Sequence, residues 1–319
     1  MKKTPLFYLI LIMTTIFLIP FIDAYPTLYL TVTTHQPTYY IGDTVYAYGN
    51  LTLDSSLITD GLVGLEIDTP IHTLLVRTLV TNTTPTENWL VEVLDVIPCD
   101  QYGKPKNIFQ TKKLAHFNTT IKNNDIEVRL VLVTVSLYDH TNAPLGVSSF
   151  EGAVKENTTV SVILSVPIPT TAANGTAITC SNAFSGWPKN GGKPYCPEKS
   201  KTFQITGGVV LEPSPINPEL IKGNYNTTFK LSFCESLGIY TISVSSMYQG
   251  LPVVNSTTFE VKIQGDATGD GAVDAKDLRA LMQSWPPAPY DPNCDFNGDT
   301  VIDGKDLRIL GTNWGYGTY

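Results

Sequence analysis

At 319 residues the chain is long enough for two or three domains. Its formal net charge of −8, with nothing basic clustered along the sequence, argues against a nucleic-acid partner. Five cysteines without a Cys-x-x-Cys pair or a neighbouring histidine exclude a cysteine–histidine zinc site and leave at least one thiol unpaired in an oxidising compartment.

The N-terminus carries Lys2 and Lys3, an apolar run from Leu6 to Ile22, and then Asp23, Ala24, Tyr25 and Pro26. That layout is a secretory signal over residues 1–24 with Ala24 at the cleavage point; an uncleaved N-terminal anchor is the alternative. No second long apolar stretch follows, so the remainder is expected outside the cell, with no membrane span beyond the signal. Asn-x-Ser/Thr triplets at Asn50, Asn82, Asn118, Asn157, Asn174, Asn226 and Asn255 agree with secretion and are candidate glycan sites.

From Tyr25 to about Gln264 the texture is all-β. Leu28, Leu30 and Val32 alternate with Tyr29, Thr31 and Thr33, as in a half-buried strand. The same period recurs over Val160–Ile168, over Phe229–Phe233, over Tyr240–Val244 and over Phe259–Ile263. Residues Ile126 to Leu137 are apolar on both faces, which predicts a central strand or a bulge that switches faces. Asp60-Gly61, Tyr102-Gly103 and Asn190-Gly191-Gly192 supply turns between strands. Many short strands with regular turns, and no amphipathic helix before residue 265, read as β-sandwich.

Two separated stretches carry a resemblance. Gln36 to Val45 followed by Gly61 to Ile67 resembles the opening of the macroglobulin-type Ig-like sandwich; Gly223 to Leu231 followed by Gly238 to Val244 resembles its ending. In that family the two halves are nearly contiguous, whereas here about 140 residues intervene. The expected organisation is therefore a discontinuous sandwich of residues 25–81 plus 207–264, with a second sandwich, 82–206, inserted into it. Three small sandwiches in a row is the alternative. The family's thioester sequence is absent, and its covalent trapping chemistry is not implied.

Within the insertion, Asn182 to Ser200 is rich in Pro, Gly and aromatics. It reads as a long surface loop pinned by its own rings, with an exposed sugar-binding platform as the alternative. No catalytic constellation emerges: His35, His72, His116 and His140 are scattered, and neither a zinc helix motif nor a nucleophile elbow is present. The chain is read as non-enzymatic, with no catalytic residue assigned. A carboxylate pair of the glycosidase kind is a spatial arrangement; Asp95, Asp100 and Asp139 are the first to inspect, and each also suits a strand-end turn. The cysteines read as small buried residues, with Cys180–Cys196 the most local bridge available.

The C-terminus holds the strongest signal, one pattern written twice with an offset of 29 residues. A twelve-residue loop wraps a hard cation in oxygen when ligands stand at positions 1, 3, 5, 7 (a backbone carbonyl), 9 and 12, and it then opens a helix. The first copy offers Asp266, Thr268, Asp270, the Ala272 carbonyl, Asp274 and Asp277; the second offers Asp295, Asn297, Asp299, the Val301 carbonyl, Asp303 and Asp306. Position 8, Val273 or Ile302, is apolar and lets two loops pack together. Leu278, Leu281, Met282 and Trp285 then recur at helical spacing, and Pro286 and Pro287 stop the first helix. Residues 266–319 hold nine Asp against four Lys or Arg, five net negative charges that two calcium ions would largely cancel.

At these residues the chain resembles the dockerin family, the calcium-loaded duplicated modules of cellulosomes and related assemblies. Asp at position 12, the Asp-Leu pair and one helix per loop all fit. The resemblance implies two bound Ca2+ and a cohesin-type domain as partner, read by positions 10 and 11, here Ala275-Lys276 and Gly304-Lys305, with Arg279 and Arg308 in the following helices. Thr268 is a weaker ligand than the usual Asn or Asp, and Thr300 stands where a glycine is preferred. The expected fold is thus mainly β: Ig-like β-sandwich domains, one inserted in the other, then a small α dockerin-like module over 265–319. The expected role is a secreted or cell-surface, non-catalytic assembly protein. A part in polysaccharide catabolism, by sugar binding or hydrolysis in the sandwiches, is one alternative; a calcium-stabilised surface protein with no cohesin is another.

Overall fold

A computed structural model describes residues 26–85, 89–213, 215–233 and 235–317. The expected signal segment 1–24 lies outside these, as does Cys234. The protein is mainly β, built from several packed sheets.

The first strands are β1 (Leu28–Leu30), β2 (Thr33–Thr34), β3 (Thr38–Tyr40), β4 (Thr44–Gly49), β5 (Leu51–Leu53), β6 (Ser56–Leu57), β7 (Leu62–Asp68) and β8 (Thr73–Val80). Next come β9 (Val91–Cys99), β10 (Ile108–Gln110), β11 (Leu114–Asn123), β12 (Arg129–Tyr138), β13 (Pro144–Val154), β14 (Thr159–Pro167), β15 (Gly175–Phe184) and β16 (Lys199–Thr206). The last are β17 (Tyr225–Lys230), β18 (Gly238–Tyr248) and β19 (Leu251–Lys262).

Strands early and late in the chain share two sheets, β3-β19-β18-β7-β8 and β17-β4-β2, while the early β1-β5-β6 forms a small third. Their inward residues, among them Tyr39, Val45, Leu65, Ile67, Phe229, Tyr240 and Phe259, meet in one apolar core. Strands β9 to β16 pair only among themselves, as β10-β16-β15-β12-β13 and β14-β11-β9. Their core is centred on Phe109, Phe117 and Phe203, whose rings lie 5.3 to 6.0 Å apart. The predicted first strand is split: Leu28–Leu30 and Thr33–Thr34 belong to different sheets.

The doubly apolar stretch becomes β12, which starts at Arg129 rather than Ile126; Ile126 and Val128 remain exposed. Its two faces serve two purposes. Val131, Val133, Val135 and Leu137 point into the second core, as period-two geometry dictates. On the opposite face Leu132 packs with Val76 and Phe184, and Ser136 Oγ donates to the Val76 carbonyl at 2.8 Å. That face is where the two bodies meet.

The contact is rich in polar groups. Asn182 Oδ1 accepts from the Thr78 N–H at 2.8 Å, and its Nδ2 donates to the Val76 carbonyl. Arg77 pairs with Glu198 and lies over the Tyr138 ring. The Asn182–Ser200 segment is clamped here. Trp187 packs with Phe184, Val76 and Leu132, and Lys189 Nζ sits 3.0 Å from Glu66, which is wholly buried on β7. Gly192 lies so close to Gly186 that any Cβ would strike its carbonyl oxygen at 1.9 Å. Cys180 joins the first core and Cys196 the second; both are unbridged, and burial pushes their thiols up to about 12 and about 11.

Candidate metal centre

After β19 the chain turns through Gly265 into the first loop and then α1 (Ala275–Gln283); the second loop leads into α2 (Gly304–Thr312). Each helix begins on a reciprocal capping box, Asp274 with Asp277 and Asp303 with Asp306. The same aspartates stand at loop positions 9 and 12, so the loop chemistry and the helix start are one device.

In the first loop Asp277 is fully buried. Its Oδ1 accepts from the N–H and the hydroxyl of Thr268, both at 3.0 Å, and its Oδ2 accepts from the Asp274 N–H at 2.8 Å. Asp266 Oδ1 accepts from the Gly269 N–H at 2.7 Å and its Oδ2 from the Gly271 N–H at 2.8 Å. Asp270 Oδ1 accepts from the Ala272 N–H, and its Oδ2 is paired with Lys276 Nζ at 2.6 Å. That ammonium holds the Asp270 carboxyl below its ordinary range, and the carboxylate in turn raises Lys276. Asp266, Asp270 and Asp277 each bring one oxygen within 4.8 Å of the others, and among the described residues no other trio of acids, cysteines or histidines does so. An all-oxygen, carboxylate-rich set suits a hard cation such as calcium.

The second loop repeats the framework with differences. Asp306 is equally buried and accepts from the Phe296 and Asp303 N–H groups. Asp295 Oδ2 accepts from the Thr300 N–H and also from the Tyr290 hydroxyl, each at 2.8 Å. Asn297 Nδ2 donates to Asp299 Oδ2, which also holds Lys305 Nζ at 2.7 Å and is lowered by it. Thr300 adopts φ +66° where Gly271 has +84°, a left-handed geometry that costs a threonine energy and a glycine little. The carboxylates of this loop do not converge within 4.8 Å as those of the first loop do.

Val273 and Ile302 both enter the module's small core with Leu281 and Leu310. The Val273 backbone, however, pairs with the tail: its N–H donates to the Tyr316 carbonyl and its carbonyl accepts from the Gly315 N–H. Ile41 and Leu237 from the sandwich side border both this core and the first one, and the Phe233 and Tyr316 rings lie 6.2 Å apart. A cleft of about 500 Å³ separates the first loop from Leu237, Glu260 and Lys262. Met282, predicted on the apolar stripe of α1, is exposed, while Leu278 and Trp285 are half-buried. Ala275, Lys276, Arg279, Gly304, Lys305 and Arg308 are all exposed.

Sequence reasoning missed the Lys–Asp pairs, although a lysine six residues after the position-5 aspartate in both copies was a legible cue. It also missed the tail pairing and the Tyr290 contact, which have no local signature. The reading that nothing basic clusters needs correction: Lys106, Lys112 and Lys113 gather around one groove of the second sheet pair. Asp100 and Asp139 are strand-end turn residues, Asp100 accepting from the Tyr102 and Lys104 N–H groups and Asp139 from those of Thr141, Ala143 and the more distant Ala173. Asp95, expected at a strand end, instead lies within β9 at a bulge and accepts from the Val96 N–H.

No family model and no curated protein matches this chain. Solved structures similar in part include a Bacteroides uniformis β-glucuronidase, 9% identical with TM-score 0.28, where the match covers 51% of this chain and 26% of the enzyme. A Listeria innocua β-glucosidase bound to isofagomine is 12% identical with TM-score 0.27, over 41% of this chain and 18% of that one. The CARDB domain of a Pyrococcus furiosus protein in complex with di-metal ions is 14% identical with TM-score 0.25; all of it is covered by 40% of this chain. This chain thus spans only a minor part of either enzyme's length, and likenesses this weak bear on neither activity nor ligand.

Proposed function

We propose that this is a secreted or cell-surface, non-catalytic assembly protein, in which two sandwiches present a dockerin-like module that binds two calcium ions and docks a cohesin-type partner. The observation that carries the reading is the duplicated loop and helix, with a buried position-12 aspartate in each copy and Asp266, Asp270 and Asp277 converging in the first. Asp266, Thr268, Asp270, the Ala272 carbonyl, Asp274 and Asp277 would hold one ion, and Asp295, Asn297, Asp299, the Val301 carbonyl, Asp303 and Asp306 the other. Bound cations supply positive charge inside a module whose five net negative charges otherwise repel one another. Lys276 and Lys305 supply part of that charge themselves, each bound to the position-5 aspartate of its own loop. For Asp270 and Asp299 to act as ligands these amines must swing away, onto the exposed surface that also carries Arg279 and Arg308. The same side chains then face a partner, so loop occupancy and partner recognition are coupled through two lysines.

Calcium titration by calorimetry into the whole secreted chain tests this. Two equivalents are expected, with Asp277→Ala and Asp306→Ala each losing one, followed by calcium-dependent capture of a cohesin domain. Absence of calcium binding overturns the reading; calcium binding without cohesin capture leaves a calcium-stabilised surface protein.

A further inference from the structure

The groove on the β9–β16 body is independent of the calcium loops. It has a volume of about 810 Å³, within the range of roughly 300–1,000 Å³ usual for ligand sites. The sequence around it, residues 101–115, holds four lysines and no acid in a chain of net charge −8. Among the described residues none of Lys104, Lys106, Lys112 and Lys113 forms an ion pair, and all four are exposed. Asp100, the acid on the wall, accepts from the Tyr102 and Lys104 N–H groups, which hold its carboxyl below the ordinary range. Its negative charge acts on Lys104 and Lys106 and offsets part of theirs, but three lysines against one carboxylate leave the groove lining net positive.

The groove walls are chemically mixed. The Asp100–Lys104 turn is closed by backbone bonds and presents Tyr102, whose side chain is 84% exposed. Ile108 and Leu114 are also exposed and line the groove, beside the amides of Gln101 and Gln110 and the Thr206 hydroxyl. Lys112 sits at φ +63° in the turn between β10 and β11, with its N–H fixed on the Ile168 carbonyl at 2.8 Å. A left-handed lysine is a strained choice held in place by its surroundings, and such positions concentrate at functional sites. Lys106 Nζ stands 5.0 Å from the buried Phe109 ring, against an aromatic face that favours a cation.

Exposed aromatic and aliphatic faces suit the C–H face of a sugar, amides and a hydroxyl suit its hydroxyl groups, and unpaired ammonium groups suit a negative substituent. We infer that this groove binds an acidic glycan, a chain of sugars bearing carboxylate or sulfate. A nucleic acid fits less well. No arginine, the better phosphate ligand, lines the groove.

The test is binding of the whole chain, with calcium and again with chelator, to a galacturonate hexamer, its neutral methyl ester, a heparin-derived hexasaccharide and a twelve-nucleotide single-stranded DNA. Binding to either acidic oligosaccharide at least tenfold tighter than to the methyl ester is expected, and the preferred one identifies carboxylate or sulfate as the group read. Tyr102→Ala, Lys106→Gln and Lys113→Gln, all exposed positions that leave the fold intact, should each weaken it several-fold. Equal affinity for acid and ester, no binding at millimolar ligand, or DNA binding at least as tight with no loss in Tyr102→Ala would each overturn the inference. The outcome does not depend on whether the calcium loops fill.

Discussion

Asp277→Ala tests whether the position-12 aspartate holds the first loop even without metal. The wild-type carboxylate accepts from the Thr268 N–H and hydroxyl and from the Asp274 N–H, and it is fully buried. Truncation strands two backbone donors and removes half of the capping box of α1. Thr268 is exposed and its groups can turn to water, so the larger loss is at Asp274, the N-cap. The stranded Asp274 N–H is itself the lost half of the capping box, and an unsatisfied donor costs about 1–3 kcal/mol. With partial relief by water the loss is about 2 kcal/mol, confined to the module. Hydrogen exchange in chelator reads this directly: protection of the α1 amides should fall by about thirtyfold, since 1.4 kcal/mol is a factor of ten, while β18 and β19 stay unchanged. Asp277→Asn, which keeps one acceptor oxygen, should fall in between. If the α1 amides of Asp277→Ala exchange as in wild type, the capping box contributes nothing and the proposed union of loop and helix start is wrong.

Burial raises Glu235 to about 7, above the ordinary carboxylate value of about 4.3. The folded state therefore holds that proton more tightly than the unfolded one. Stability from this group is present below about pH 4.3 and lost as pH rises towards about 7; Glu235→Gln should flatten that slope in denaturation curves. Glu198→Ala leaves Arg77 unpaired between the two bodies; a loss of about 2 kcal/mol should lower Tm by about 4–8 °C in a thermal scan, whereas no shift would mean that the pair adds nothing to the contact. Phe203→Ala removes the central ring of the aromatic trio and should cost about 3–5 kcal/mol in urea unfolding, with a value below 1 kcal/mol contradicting the packing described.

Much of the local structure was legible because it depends on neighbours in the chain. Alternation places Tyr240, Ile242 and Val244 inward on β18, and the spacing of Asp274 and Asp277 is enough to cap α1. The candidate ligands were readable for the same reason: a loop that wraps a cation draws its donors from twelve consecutive residues. Which sheet a strand joins is another matter. Period two says that β12 has two apolar faces, but only the assembled structure shows that Val133 faces one core while Ser136 and Leu132 face the other body. The lysine groove formed for a similar reason, when the β9–β10 turn met the β10–β11 turn. The sequence by itself determined strand period and helix starts and named the candidate donors of each loop, because each is set by bonds within a few residues. Only the tertiary structure decided strand partners, the clamp of Lys189 on Glu66 and the pairing of Val273 with the tail, because these join residues that the chain separates by tens of positions.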